Sequence, residues 1–241
     1  MKKMLKAAAA LAAILIAFTL GACDNGSSSG SGGGGGGGSG SGGGGGSTTS
    51  SKNPFGFTEE DKYKYFCLDK DGKVLQNIGY SSDEGENVEG AVFLVLWTLT
   101  DGTGEVELYQ YYGDYEDVTI PDGVTKIGGS AFYECTSLAS ATIPDGVTEI
   151  GSRAFAGCTS LASVTIPSSV TEIGRWAFYG CSKLTKVTFT KPSGWHADRY
   201  NNYPGYYIED MSNSSINAEY LKNTSLGTNE KDWGARRLYR E

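Results

Sequence analysis

From Val118 onward the apolar and polar positions recur every 23 residues. Val118–Ser140 reads VTIPDGVTKIGGSAFYECTSLAS, Ala141–Ser163 reads ATIPDGVTEIGSRAFAGCTSLAS and Val164–Lys186 reads VTIPSSVTEIGRWAFYGCSKLTK. The first two agree at 17 of 23 positions, and Val187-Thr188-Phe189 restarts a fourth copy and stops. Within a copy, Val164-Thr165-Ile166 alternates in, out, in, which predicts a short strand. Pro167, like Pro121 and Pro144, ends that strand, and Pro-Asp-Gly in the first two copies signals a turn. Val147, Ile150, Ala154, Phe155, Cys158 and Leu161 follow at helical or 3₁₀ spacing and are expected to face inward, with Gly151-Ser152 turning the chain into a short helix. One copy cannot bury its Ile, Phe and Leu alone, whereas stacked copies can, so the pattern predicts a solenoid.

The run from Ile143-Pro144 through Val147, Ile150-Gly151 and Ala154-Phe155 to Cys158 and Leu161 resembles the BspA-type leucine-rich repeats of bacterial surface proteins. That resemblance implies an α/β fold: a short right-handed solenoid of three repeats plus a partial fourth, with parallel strands on its concave side. It also implies a non-enzymatic module that binds host matrix, cell-surface or other bacterial proteins or glycoproteins, with no cofactor. Large members of the family have many more repeats, which sets broad multivalent adhesion apart from this chain. If Ile120, Ile143, Ile166 and Phe189 point inward, the concave face presents Thr119, Thr142, Thr165 and Thr188, with Asp117, Ser140, Ser163 and Lys186 beside them. Threonine is also simply a good strand former, so this column is either a binding surface or a structural ladder. The convex side carries Arg153, Arg175, Trp176 and Tyr179; an aromatic beside arginine has the composition of a binding anchor, and Trp176 can equally pack on a C-terminal cap.

A three-repeat stack exposes apolar ends and needs caps. Residues 55–116 supply strand-like segments at Tyr63–Leu68 and Lys73–Ile78 around Asp69-Lys70-Asp71-Gly72, and at Val92–Thr100 and Glu105–Tyr109 around Asp101-Gly102-Thr103-Gly104. Both pairs predict β-hairpins. Residues 190–241 predict a small mixed cap with a helix near 215–222, capped by Ser214 or Ser215. The stretch Asn217–Asn223 also resembles a C-terminal segment that follows such repeats in spirochaetal surface proteins.

The amino terminus reads as an address. Lys2, Lys3 and Lys6 precede the apolar run Ala7–Leu20, and Leu20-Gly21-Ala22-Cys23 follows. This resembles a bacterial lipobox, which implies that residues 1–22 are a signal peptide and that Cys23 is lipidated. Acyl chains add about 0.8 kcal/mol of membrane affinity per buried methylene, so several of them anchor stably. Asp24 resembles an inner-membrane retention signal of one sorting system, so the expected location at the outer membrane or cell surface competes with a periplasm-facing structural or assembly lipoprotein. Fifteen of the 36 glycines fall in Gly26–Gly46. Residues 23–54 therefore predict a Gly/Ser tether with a span of roughly 30 Å.

Charge and cysteines narrow the chemistry. Residues 55–116 carry 14 acids and 4 bases, a net of −10, which disfavours nucleic acid as a partner. Cys67, Cys135, Cys158 and Cys181 make an even count in an exported chain, but three share one repeat phase with poorly aimed Cβ vectors; buried free thiols are favoured over bridges. The Asp69–Gly72 run lacks the ligands of a calcium loop and reads as a hairpin turn. His196 is the single histidine, no cysteine pair has CxxC spacing, and no nucleophile motif frames a Ser or Cys, so neither a metal site nor an enzyme is expected.

Overall fold

A computed structural model describes residues 54–100, 103–198, 206–208, 211–222 and 236–240. The signal, Cys23 and the tether lie outside these residues. Each 23-residue copy makes one turn with three sides. The Val-Thr-Ile segments form a four-stranded parallel sheet from β5 (Asp117–Thr119), β7 (Ser140–Thr142), β9 (Ser163–Ile166) and β11 (Lys186–Phe189). Its register pairs residues of the same phase: Thr119 with Thr142, Ser140 with Ser163, Thr188 with Thr165.

The second side is also β structure. β6 (Lys126–Ile127), β8 (Glu149–Ile150) and β10 (Glu172–Ile173) pair in parallel, Ile127 with Ile150 and Ile150 with Ile173. The third side departs from the expected short helix. It consists of tight turns closed by i to i−3 bonds, such as Tyr133 N to Ser130 O at 2.9 Å and Cys135 N to Phe132 O at 3.2 Å. The cause is two left-handed residues per turn: Ser130, Arg153 and Trp176 at φ of 63°, 58° and 57°, then Glu134, Gly157 and Gly180 at 56°, 78° and 73°. A helix cannot run through them. Between neighbouring turns the amides bond like strands, with Phe132 N to Ala154 O and Phe155 N to Ala177 O both at 2.8 Å. Gly151 and Gly174 sit where the turns come closest; a Cβ there would lie 2.6 Å and 2.4 Å from the backbone of the turn before.

The core is a set of stacked columns. Phe132, Phe155 and Phe178 are completely buried, with ring centroids 4.9 Å and 5.3 Å apart and planes within 6°. Ile120, Ile143, Ile166 and Phe189 form the inward column of the four-stranded sheet, as expected.

Both ends are closed by continuing the second sheet. At the front β1 (Tyr65–Leu68), β2 (Val74–Gly79), β3 (Phe93–Thr100) and β4 (Thr103–Tyr111) form an antiparallel array in the order β2-β1-β3-β4. β4 then pairs in parallel with β6, Leu108 facing Ile127. Tyr111 extends the phenylalanine column at 4.9 Å from Phe132. The Asp69–Gly72 run is a turn, with Asp69 Oδ1 accepting from the amides of Asp71 and Lys73. At the back β14 (Leu238–Arg240) joins β10, followed by β12 (Trp195–Ala197) and β13 (Tyr206–Ile208). Helix α1 (Ser214–Lys222) packs on β11. There Asn217 Nδ2 donates to the carbonyls of Val187 and Met211 at 3.0 Å and 2.8 Å, and Lys222 Nζ to that of Leu184 at 2.8 Å. The residue capping α1 is Asn213, not Ser214 or Ser215: its Oδ1 accepts from Ile216 N at 3.1 Å, and serving from one position earlier it lets both serines enter the helix.

Phe155→Ala should destabilise the domain by about 3–5 kcal/mol, because the ring has a stacked partner on both sides and the cavity cannot collapse. Urea unfolding followed by circular dichroism checks this; a loss below about 1 kcal/mol would contradict the stacked column.

Candidate binding faces

The four-stranded sheet brings the threonines together. Thr119, Thr142 and Thr165 are exposed and Thr188 is half-buried, in one line across the strands. Asp117, Ser140, Ser163 and Lys186 form the parallel line, acidic at one edge and basic at the other; Ser140 Oγ donates to Asp117 Oδ1 at 2.6 Å. A different column, Thr125, Thr148 and Thr171, does the structural work. Thr148 Oγ1 bonds Thr125 O at 3.1 Å and Thr171 Oγ1 bonds Thr148 O at 3.3 Å, each tying its turn to the one before. Among the described residues, the hydroxyls of Thr119, Thr142, Thr165 and Thr188 make no such bond, so their donors and acceptors face solvent.

The turn side holds the second candidate set. Arg153 lies over the Trp176 ring, 5.0 Å from its centroid. Trp176 is half-buried there, and Arg175 NH2 is paired with Asp198 Oδ2 at 2.9 Å, which ties the last full repeat to the segment after β12. Tyr179 is exposed, and so is Tyr133 two turns before it. Tyr133 was not among the candidates above, although it shares its repeat phase with Tyr179.

On the outer face of the second sheet runs a charged row. Lys126 Nζ meets Glu149 Oε2 at 2.9 Å, and Arg237 NH1 meets Glu172 Oε1 at 3.5 Å. Burial pushes the Glu107 carboxyl up, and Lys126 only partly offsets it. His196 belongs to this row, stacked on Tyr239 at 5.3 Å and 14°, on the opposite face of β12 from buried Trp195 and Ala197.

Cys67, Cys135, Cys158 and Cys181 are buried thiols. Cys158 Sγ donates to Phe132 O and Cys181 Sγ to Phe155 O, both at 3.1 Å, so the thiols form a ladder of bonds to the preceding turn. Burial raises the Cys67 thiol, and raises that of Cys181 to about 12.

The family model for a BspA type leucine rich repeat region matches residues 105–198, in six copies. Residues 105–198 are BspA-type leucine-rich repeats. Repeat modules of this kind typically bind proteins and are not enzymes. The BspA-type match begins inside β4, the strand that takes a repeat's place beneath Tyr111. Among solved structures, a leucine-rich repeat protein of T. pallidum is 35% identical with a TM-score of 0.36, covering 39% of this chain and 46% of that one. A leucine-rich cell surface protein of Faecalibacterium prausnitzii is 31% identical with a TM-score of 0.30, covering 39% and 31%. One from Bacteroides ovatus is 26% identical with a TM-score of 0.26, covering 39% of each chain. The match thus spans less than half the length of each of these proteins. No curated protein matches the chain.

The buried acids set the alkaline limit. Cys181 and Tyr111 ordinarily ionise near 9.0 and 10.0, and in the fold both are held neutral to about 12, chiefly by burial. The unfolded chain loses those protons first, so stability should be full below pH 9 and fall steadily from there to pH 12. Urea midpoints across that range test the sign; a midpoint that rises or stays flat would contradict it. Over the same experiment at pH 8, peptide mapping after a thiol reagent should find Cys67, Cys135, Cys158 and Cys181 unmodified until the protein is unfolded.

Proposed function

We propose that this chain is a lipid-anchored bacterial surface protein whose short repeat domain binds a protein or glycoprotein across the four-stranded sheet. The observation that carries this reading is the contrast between two threonine columns. One is committed to bonds within the fold, whereas the other leaves a line of hydroxyls open to solvent across the strands. Four strands at about 4.8 Å spacing make a patch about 15–20 Å wide, small beside a standard interface. The acidic front module belongs to the second sheet and not to this one, so contact area that it contributes lies beyond the patch. The anchoring and the surface location rest on Lys2, Lys3 and Lys6, the apolar run and Cys23. A periplasm-facing assembly role is the competing reading, favoured by Asp24, and protease treatment of intact cells separates the two: full protection would sink surface exposure.

Thr142→Arg and Thr165→Arg should each weaken binding to an immobilised matrix glycoprotein at least tenfold with an unchanged circular dichroism spectrum, because both side chains already point to solvent. Equal binding by both variants would remove the sheet as the site. For the anchor, Cys23→Ala should abolish incorporation of labelled palmitate and move the protein out of the detergent phase; unchanged labelling would remove the lipoprotein reading.

A further inference from the structure

The exposed face of the four-stranded sheet changes charge from one edge to the other. β5 and β11 are its edge strands. Asp117 stands on β5, and Asp122 follows in the turn after it; three repeat periods later the same phases hold Lys186 on β11 and Lys191 after it. The copies between carry Ser140 and Ser163 at the first phase, and Asp145 and Ser168 at the second. Asp117, Asp122, Lys186 and Lys191 are all exposed, and among the described residues none of them is in an ion pair. On the second sheet the acids are neutralised within the molecule, Glu149 by Lys126 and Glu172 by Arg237. Here the opposite charges stand three strand steps apart, about 14 Å. That is beyond salt-bridge reach and beyond the screening length of about 8–10 Å, so they do not satisfy each other within one copy.

We propose that this face docks on the same face of a second copy of the chain; the proposal rests on the reading of the sheet as the binding site and names its partner. A surface acidic at one edge and basic at the other complements itself when turned by a half rotation about an axis parallel to the strands. That rotation keeps each position along a strand and reverses the order of the strands. Asp117 of one copy then meets Lys186 of the other, and Asp122 meets Lys191, each pair occurring twice. Near the axis Ser140 lies opposite Ser163 and Thr142 opposite Thr165. A hydroxyl both donates and accepts, so the central columns can pair with their own copies. The unreversed arrangement sets acid on acid and lysine on lysine, so charge fixes the orientation. The patch is small beside a permanent dimer interface. A single pair is therefore weak, and copies displayed together hold by their number.

Sedimentation velocity on the full chain, over a concentration series into the millimolar range, should show a monomer–dimer equilibrium that weakens at high salt. Asp117→Lys and Lys186→Asp should each weaken self-association at least tenfold with an unchanged circular dichroism spectrum, because like charges then meet twice in the pair. Mixing the two variants should restore a one-to-one heterodimer, since both contacts are again between opposite charges. Should either reversal fail to fold, Asp122→Lys and Lys191→Asp repeat the exchange at the second phase. Thr142→Arg, which raises a long side chain at the centre of the face, should abolish the dimer. A chain that stays monomeric throughout, a dimer indifferent to the reversals, or a mixture that fails to associate would overturn the proposal. Self-association that survives Thr142→Arg would do so too, because copies would then be meeting elsewhere, as in end-to-end stacking. Matrix glycoprotein binding by a chain that stays monomeric would remove the second copy as partner and leave the sheet standing as a binding site.

Discussion

A step of about 5 Å per turn governs the repeat domain, because it stacks every side chain on its own copy one turn earlier. The Phe132–Phe155–Phe178 column shows why this stabilises: near-parallel rings at 4.9 Å and 5.3 Å bury completely and leave no gap between turns. The same step penalises any charge that repeats at one phase. Glu149 and Glu172 face each other in register, and the conflict is relieved from outside the pair, by Lys126 on one flank and Arg237 on the other. Gly151 and Gly174 meet the limit of the step, where even a methyl group collides with the previous turn.

So short a stack has nearly as much end as middle, and its ends determine whether it folds. The front solution is a mimic: β4 pairs like a repeat strand and Tyr111 takes the place of the next phenylalanine, with its hydroxyl accepting from Tyr115 N at 3.1 Å. The back solution is polar. The open edge of β11 receives Asn217, a fully buried amide whose Nδ2 serves two carbonyls that water cannot reach. Replacing either device by a larger apolar patch would invite association end to end, the hazard of every uncapped solenoid.

What could be read from the residues followed from repetition. The period, the inward Ile and Phe columns and the outward threonines were legible because three copies state the same phase three times. The third side was not. Val147, Ile150, Ala154 and Phe155 have helical spacing, but spacing cannot reveal that Arg153 and Trp176 adopt backbone normally left to glycine. The role of β4 was hidden for a different reason. Leu108 pairs with Ile127, 19 residues on rather than 23, so comparing the chain with itself passes over it. Residue type does not single out Asn213 from Ser214 and Ser215, because Asn and Ser both cap well and only the helix start decides among them. Of the candidate faces, the sheet column could be placed by alternation alone, whereas Tyr133 and Tyr179 become a pair only once the turns are stacked.

The three sides of each turn divide the work in a way that leaves room for function. Stability resides in the inward columns and in the hydroxyl and thiol bonds that tie one turn to the previous one, through Thr148, Thr171, Cys158 and Cys181. The outer row of the second sheet is occupied with charge pairs that reach into the C-terminal cap. Neither task constrains the line beside the threonine column, where the copies carry Asp117, Ser140, Ser163 and Lys186, or the tyrosine phase, where exposed Tyr133 and Tyr179 flank a buried Ala156. Where a repeat architecture could carry the same residue in each copy and does not, the variation falls on surfaces that the fold leaves unconstrained, and a binding specificity can be written there without disturbing the step that holds the stack together.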